Sequence, residues 1–234
     1  MFNFCFLGAV NMSIAIVIGS SGGIGEAVVN ELLNSAKYDQ IIEFCRPQID
    51  LQDESTIQKA AEIVPQKPVT LIINATGYLH DFENKPEKSL RELSSAALQK
   101  YFVINAIGPA LLMKYFLPLL PRHERAVFAN ISARVGSIED NRLGGWYGYR
   151  ASKAALNQFT KTAAIELGRT HPEAVCVALH PGTVETRLSA PYVASKYKRE
   201  KPNVTARHLL AVISNLNSND TGKLFDWRGE RIPW

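Results

Sequence analysis

Ser13-Ile14-Ala15-Ile16-Val17-Ile18-Gly19-Ser20-Ser21-Gly22-Gly23-Ile24-Gly25 is the stretch that decides the fold. Residues 13–18 form a near-continuous apolar run, as a strand buried on both faces of a sheet requires. Residues 24–36 then carry Ile24, Val28 and Leu32 at helical spacing, with Glu26 and Glu31 on other faces. Glycines between the two allow a tight turn and let the backbone approach a pyrophosphate, whose charge the helix N-terminus meets. The spacing G-x-x-x-G-x-G is a variant of the usual dinucleotide fingerprint. Gly19, Ser21, Gly22, Gly23, Ile24 and Gly25 are therefore candidate nucleotide-binding residues.

Outward from this stretch, β-branched runs alternate with helical periods to the end of the chain. Strands are expected at 40–45, 69–74, 126–132, 174–180 and 223–227. Helices are expected at 55–64, 147–168 and 203–216. A long helical region from about residue 89 to 117 is broken near Pro109 or starts afresh around Ser94. This alternation implies an α/β fold: a doubly wound, Rossmann-type parallel sheet of about seven strands, with helices on both faces. No repeat, low-complexity tract or linker divides residues 1–234, so a single domain is expected.

Composition narrows the function. Hydrophobic residues make up 46% of the 234 residues, enough for a substantial core. The net charge is +4 and the basic residues are scattered, so neither a nucleic-acid nor a membrane-surface partner is expected. Cys5, Cys45 and Cys176 are odd in number and far apart, which suits a reducing cytoplasm. Neither the cysteines nor the histidines have metal-ligand spacing, so no metal site is expected. Residues 1–20 are largely apolar, but the first basic residue is Lys37, so they lack the charged start of a signal peptide. Met12 is an alternative start, which would make residues 1–11 an extension without a role in the fold. Residues 101–113 are uncharged but shorter than the roughly 17–25 residues of a membrane span, so a buried helix is expected there.

Within 147–168, Tyr149 and Lys153 lie one helical turn apart on the same face, whereas Tyr147 points elsewhere. A free tyrosine has a pKa of about 10, and a nearby ammonium lowers it by roughly 1–3 units, towards the range of a general acid or base. After the second strand, Arg46 stands where an NAD-binding fold tends to place an acidic residue. An arginine suits a 2′-phosphate, so NADP(H) is the preferred cofactor over NAD(H), unless Arg46 is only a solvated surface residue. Asp50, followed by Leu51, is placed to accept from an adenine amine or to start the next helix. The turn also reads as G-x-S-x-G, with Ser21 as a hydrolase nucleophile and His180 as its base. Against that, a nucleophile elbow normally follows several strands rather than the first.

Further motifs stand in order: Asn74-Ala75-Thr76-Gly77, Asn105, Ser132, Tyr149 with Lys153, and Pro181-Gly182-Thr183-Val184-x-Thr186. With the glycine turn, they resemble the short-chain dehydrogenase/reductase family over nearly the whole chain. Gly144-Gly145-Trp146-Tyr147-Gly148-Tyr149 and the ending Phe225-Asp226-Trp227-x-Gly229-x-x-Ile232-Pro233-Trp234 further resemble its C-factor-like (cell–cell signalling protein) branch.

The resemblance implies hydride transfer between a nicotinamide and the carbonyl or alcohol carbon of a small molecule. Tyr149 would be the general acid/base, and Lys153 would bond the nicotinamide ribose and lower the tyrosine's pKa. Ser132 would polarise the substrate oxygen, while Asn105 would shape its helix and hold a water that links Lys153 to solvent. Gly182 and the backbone after it would pack on the nicotinamide, with Thr186 near its carboxamide. It also implies a homodimer or homotetramer built through the helices near 94–117 and 149–168. The competing class is a nucleotide-binding signalling protein with incidental turnover.

Two departures from the family pattern stand out. Ala75 replaces the usual second asparagine, so support of the central sheet must come from elsewhere, the Thr76 hydroxyl being the candidate. The gap from Ser132 to Tyr149 is long, and residues 139–146 are expected over the substrate site with Trp146 as an apolar wall. Residues 187–202 are expected to form a lid, in which Leu188, Pro191, Tyr192 and Val193 suggest a non-polar substrate body.

Overall fold

The computed structural model describes residues 13–192 and 199–234. The expectations for Cys5, Met12 and Val193 lie outside the described residues. Seven strands form one sheet: β1 (Ile14–Ile18), β2 (Gln40–Phe44), β3 (Val69–Asn74), β4 (Ala126–Ile131), β5 (Ala174–His180), β6 (Leu224–Asp226) and β7 (Arg231–Ile232). Their order is β2-β1-β3-β4-β5-β6-β7, all parallel except β7, which is antiparallel to β6. Among the described residues six α-helical segments accompany them: α1 (Gly23–Ser35), α2 (Glu54–Glu62), α3 (Ser95–Phe102), α4 (Gly108–Phe116), α5 (Tyr147–Leu167) and α6 (Pro202–Asn215).

Strand alternation divides the core into two layers. Ile14, Ile16 and Ile18 face one layer with Phe44, Phe116 and Phe128, on the side of α2, α4 and α5. Ala15 and Val17 face the other, against Val28 and Leu32 of α1 and Leu209 of α6. Each such fully buried aliphatic side chain contributes about 1.5–3 kcal/mol, which is why β1 reads as an unbroken apolar run.

The long helical region begins at Ser94, whose side chain accepts from the Ala97 N–H. Its break falls before Pro109. Val103–Ile107 is a π-helical turn in which the Gly108 N–H reaches back to the Val103 carbonyl. Pro109 has no N–H for the Asn105 carbonyl four residues earlier, so the regular ladder fails there. The whole run Ser95–Leu119 is long and apolar enough, by length and composition, to cross a membrane. It is longer than the expected 13-residue stretch because the helical run continues past Lys100 and Lys114. Leu112, Met113 and Phe116 pack it into the core.

β2 and β3 flank β1 on opposite sides, which makes the β1/β3 boundary the switch point of the sheet. Ligands of open α/β sheets bind outside the carboxyl ends of the strands at such a point.

Candidate active site

At the end of β1, Gly19 adopts φ +86°, and a Cβ there would stand 3.0 Å from the Thr76 nitrogen. A Cβ on Gly25 would come within 2.1 Å of the Gly19 carbonyl oxygen, so neither position admits a side chain. No side chain caps α1, which leaves its first N–H groups for an anion. From this turn a cavity of about 490 Å³ runs past Ser21, Gly22, Arg46, Asp50 and Leu51 to Ala75, Thr76 and Gly77. Arg46 is exposed at its rim, without an ion pair among the described residues. Asp50 accepts from the Gln52 N–H, while Asp53 is the residue that caps α2. Asp50 is thus a cavity residue rather than the helix start.

A second cavity of about 360 Å³ is lined by Gly23, Ile24, Ser132, Tyr149, Lys153, Pro181 and Thr186. A third of about 200 Å³ shares Ser132, Tyr149 and Leu188 with it and adds Trp146, His180, Gly182, Thr183, Val184 and Tyr192. Helix α5 turns Tyr149 and Lys153 to the same side, as their spacing requires. The Lys153 ammonium donates to the Ile131 carbonyl at 3.0 Å and lies 6.0 Å from the centre of the Tyr149 ring. Burial pushes the Tyr149 hydroxyl up to about 12 and the Lys153 ammonium down to about 8. This corrects the expectation of a lowered tyrosine pKa. In the free protein the cause is the loss of water around the phenol.

Three expected site residues, Gly25, Asn74 and Asn105, line none of these cavities. Asn105 accepts from the Tyr78 N–H at 2.7 Å and donates to the Tyr78 carbonyl and the Ser152 hydroxyl. Its side chain therefore fixes the backbone after β3. Asn74 is buried behind the cavity wall and donates to Asn130 at 2.8 Å. Thr76 supplies the support that Ala75 lacks: its hydroxyl donates to the Asn74 side-chain oxygen at 2.6 Å. Asn130 continues the chain to Thr160, so this network joins β3, β4 and α5.

Thr186 shares a hydrogen bond with Ser189 at 3.2 Å, and a Cβ on Gly23 would meet its methyl at 3.0 Å. Leu188 and Tyr192 line the third cavity, whereas Pro191 is exposed. The hydrolase dyad does not form. Ser21 follows β1 and His180 ends β5, three strand spacings or about 14 Å away across the sheet.

Trp146 stands at the N-terminus of α5 in the left-handed region, at φ +54°, a strained setting for a bulky residue. Its ring meets Tyr149 and Tyr192 edge-on at centroid distances of 6.1 and 5.9 Å. The third cavity is thus walled by aromatic faces opposite the Gly182 turn.

A family model described as short chain dehydrogenase matches residues 13–196. The chain belongs to the short chain dehydrogenase family. It is 35% identical over 147 residues to the C-signal protein of Myxococcus xanthus, covering 62% of this chain and 84% of that one. The NADPH-bound carbonyl reductase from chicken fatty liver superposes with a TM-score of 0.83 at 26% identity, over 95% of this chain and 94% of that one. A carbonyl reductase of D. melanogaster shares the fold, with a TM-score of 0.81 at 24% identity, over 96% and 99% of the two chains.

In this short chain dehydrogenase the structure adds residues that sequence reasoning missed. Asn157, one turn beyond Lys153 on the same face, accepts from the Ser132 hydroxyl at 2.7 Å. The 149/153/157 spacing was a signal for it. Glu87 is buried, accepts from the Gly148 N–H at 3.2 Å, and caps α5 from 61 residues away. Nothing local in the sequence points to it. At the far end of the third cavity, burial and the Arg134 guanidinium hold the His180 imidazole down to about 4, so it is neutral.

Proposed function

We propose that the protein is an NADP(H)-preferring oxidoreductase that interconverts a carbonyl and an alcohol on a small, partly apolar substrate. The observation that carries this reading is the convergence of Tyr149, Lys153 and Ser132 on one cavity beside the glycine turn. The cradle fits the cofactor: Gly19 and Gly25 leave room for close backbone approach, α1 is uncapped, and Arg46 stands without a counter-charge among the described residues. The chicken NADPH-bound relative supports the same choice. Arg46 would meet the 2′-phosphate, Asp50 the adenine, and Ala75 to Gly77 the adenosine side. Pro181 to Val184 and Thr186 would hold the nicotinamide side.

Bound NADPH supplies the hydride. Tyr149, whose pKa in the free protein burial pushes up to about 12, gives its proton to the carbonyl oxygen in reduction; oxidation requires its phenolate form, which takes the proton from the alcohol. Lys153, charged below about pH 8, would bond the ribose of the bound cofactor and would stabilise the phenolate as the proton leaves. Ser132 holds the substrate oxygen beside Tyr149; to polarise it, the serine must turn its proton away from Asn157. Trp146, Leu188 and Tyr192 exclude water and receive the apolar part of the substrate.

The test is NADPH and NADH oxidation by the purified protein across aldehydes, ketones and quinones. Turnover with a preference for NADPH is expected. The likeness to the M. xanthus C-signal protein supports a second reading, a signalling role with incidental turnover. Tight NADPH binding without turnover of any carbonyl would favour it.

The same proposal includes a cytoplasmic location and a homodimer or homotetramer. Exposed Ile107, Phe159 and Ile165 lie on α5 and at the start of α4, whose outer faces border a groove of about 660 Å³. Sedimentation of a monomer would overturn the association.

A further inference from the structure

We propose that residues 226–234 are a positioning element that braces both walls of the substrate cavity. The inference depends on the reductase reading only for its kinetic consequence. Two features singled out in the sequence, the long loop after Ser132 and the closing segment, meet here.

Asp226 ends β6 with its carboxylate buried. Its oxygens accept from the N–H groups of Arg228 and Glu230 at 2.9 and 3.0 Å and from the Arg228 guanidinium at 3.2 Å. The Arg134 guanidinium stands 3.9 Å from the same oxygen that the Arg228 guanidinium contacts, and pairs with Asp140 at 3.2 Å. One buried carboxylate therefore ties the segment to the start of the loop. The Trp234 carbonyl makes a second tie, accepting from the Glu139 N–H at 2.9 Å. At its far end the same loop presents Trp146 to the cavity.

The opposite wall rests on the same segment. Gly182 lines the cavity at φ +80°, and a Cβ there would stand 2.9 Å from the Trp227 indole. Trp227 is itself stacked on His208 of α6 at 5.0 Å. Between its ties the loop holds itself by polar contacts, the Asp140 N–H donating to the Ser137 hydroxyl and the Gly144 N–H to the Asn141 side-chain oxygen, both at 3.1 Å, with little apolar packing beside them. Ile138 and Leu143 are exposed, and Gly144 and Gly145 both adopt φ +64°. These internal bonds leave its position to contacts with residues 226–234, Glu87 and Arg150.

The test uses the full protein, a variant lacking residues 231–234, and Arg134→Gln. Amide hydrogen exchange over 137–146 is expected to quicken at least about tenfold in both variants, with α5 unchanged. NADPH affinity is expected to stay within about twofold, while KM for a carbonyl substrate rises about tenfold and kcat changes less. Unchanged exchange in the loop would overturn the brace, as would equal loosening of α5. If the deletion variant does not fold, Arg134→Gln decides alone. If the parent protein reduces no carbonyl, the reductase reading fails while the exchange result still decides this one.

Discussion

The Ser132 hydroxyl donates its proton to the side-chain oxygen of Asn157 at 2.7 Å, within the wall of the candidate site. Asn157 in turn donates to the Gly136 carbonyl at 3.3 Å, so the turn after β4 is locked onto α5. Asn157→Ala would leave the serine without a fixed orientation. The expected result is a fall of about tenfold in kcat/KM with NADPH affinity retained, measured by steady-state kinetics and fluorescence titration. An unchanged kcat/KM would show that Asn157 has no part in presenting Ser132.

Tyr149 shares its cavity wall with Ser132 and Lys153, which the proposed mechanism uses to hold the substrate oxygen and to stabilise the phenolate. Tyr149→Phe is expected to lower kcat by about a thousandfold, in the range of lost general acid catalysis, with NADPH binding nearly intact. Retention of most of kcat would remove Tyr149 from the mechanism.

Arg46 tests the cofactor choice, because its side chain is exposed at the cavity rim and no ion pair among the described residues depends on it. Arg46→Asp replaces a phosphate partner with a group that repels phosphate and accepts from ribose hydroxyls. The ratio of kcat/KM for NADPH over NADH is expected to fall at least about tenfold. A constant ratio would mean that another residue reads the phosphate.

His180 links acid stability to the substrate cavity. Its imidazole is held from the ordinary 6.5 down to about 4, first by burial and then by Arg134. The unfolded chain binds this proton more readily, so stability from His180 is full above about pH 6.5 and is lost as pH falls through about 4. His180→Gln should flatten the dependence of the urea midpoint on pH across that window. Parallel profiles for the two proteins would count against a buried neutral imidazole.

Much of the architecture followed from residues 13–25 and the alternation after them, because strand and helix periods are local properties of a chain. Tyr149 and Lys153 were legible for the same reason: four residues on a helix guarantee a shared face. The two-residue strand β7 carries no period and could not be read. Nor could the protonation of the pair, since the pKa of Tyr149 depends on how completely the fold removes water from it. Tertiary structure alone spent the Asn105 side chain on Tyr78, brought Glu87 to the start of α5, and set Asp226 against Arg134. Those partners are distant in sequence and leave no local pattern. What places them is the packing of loops at the carboxyl ends of the strands, where a buried polar group must find a partner wherever the chain supplies one.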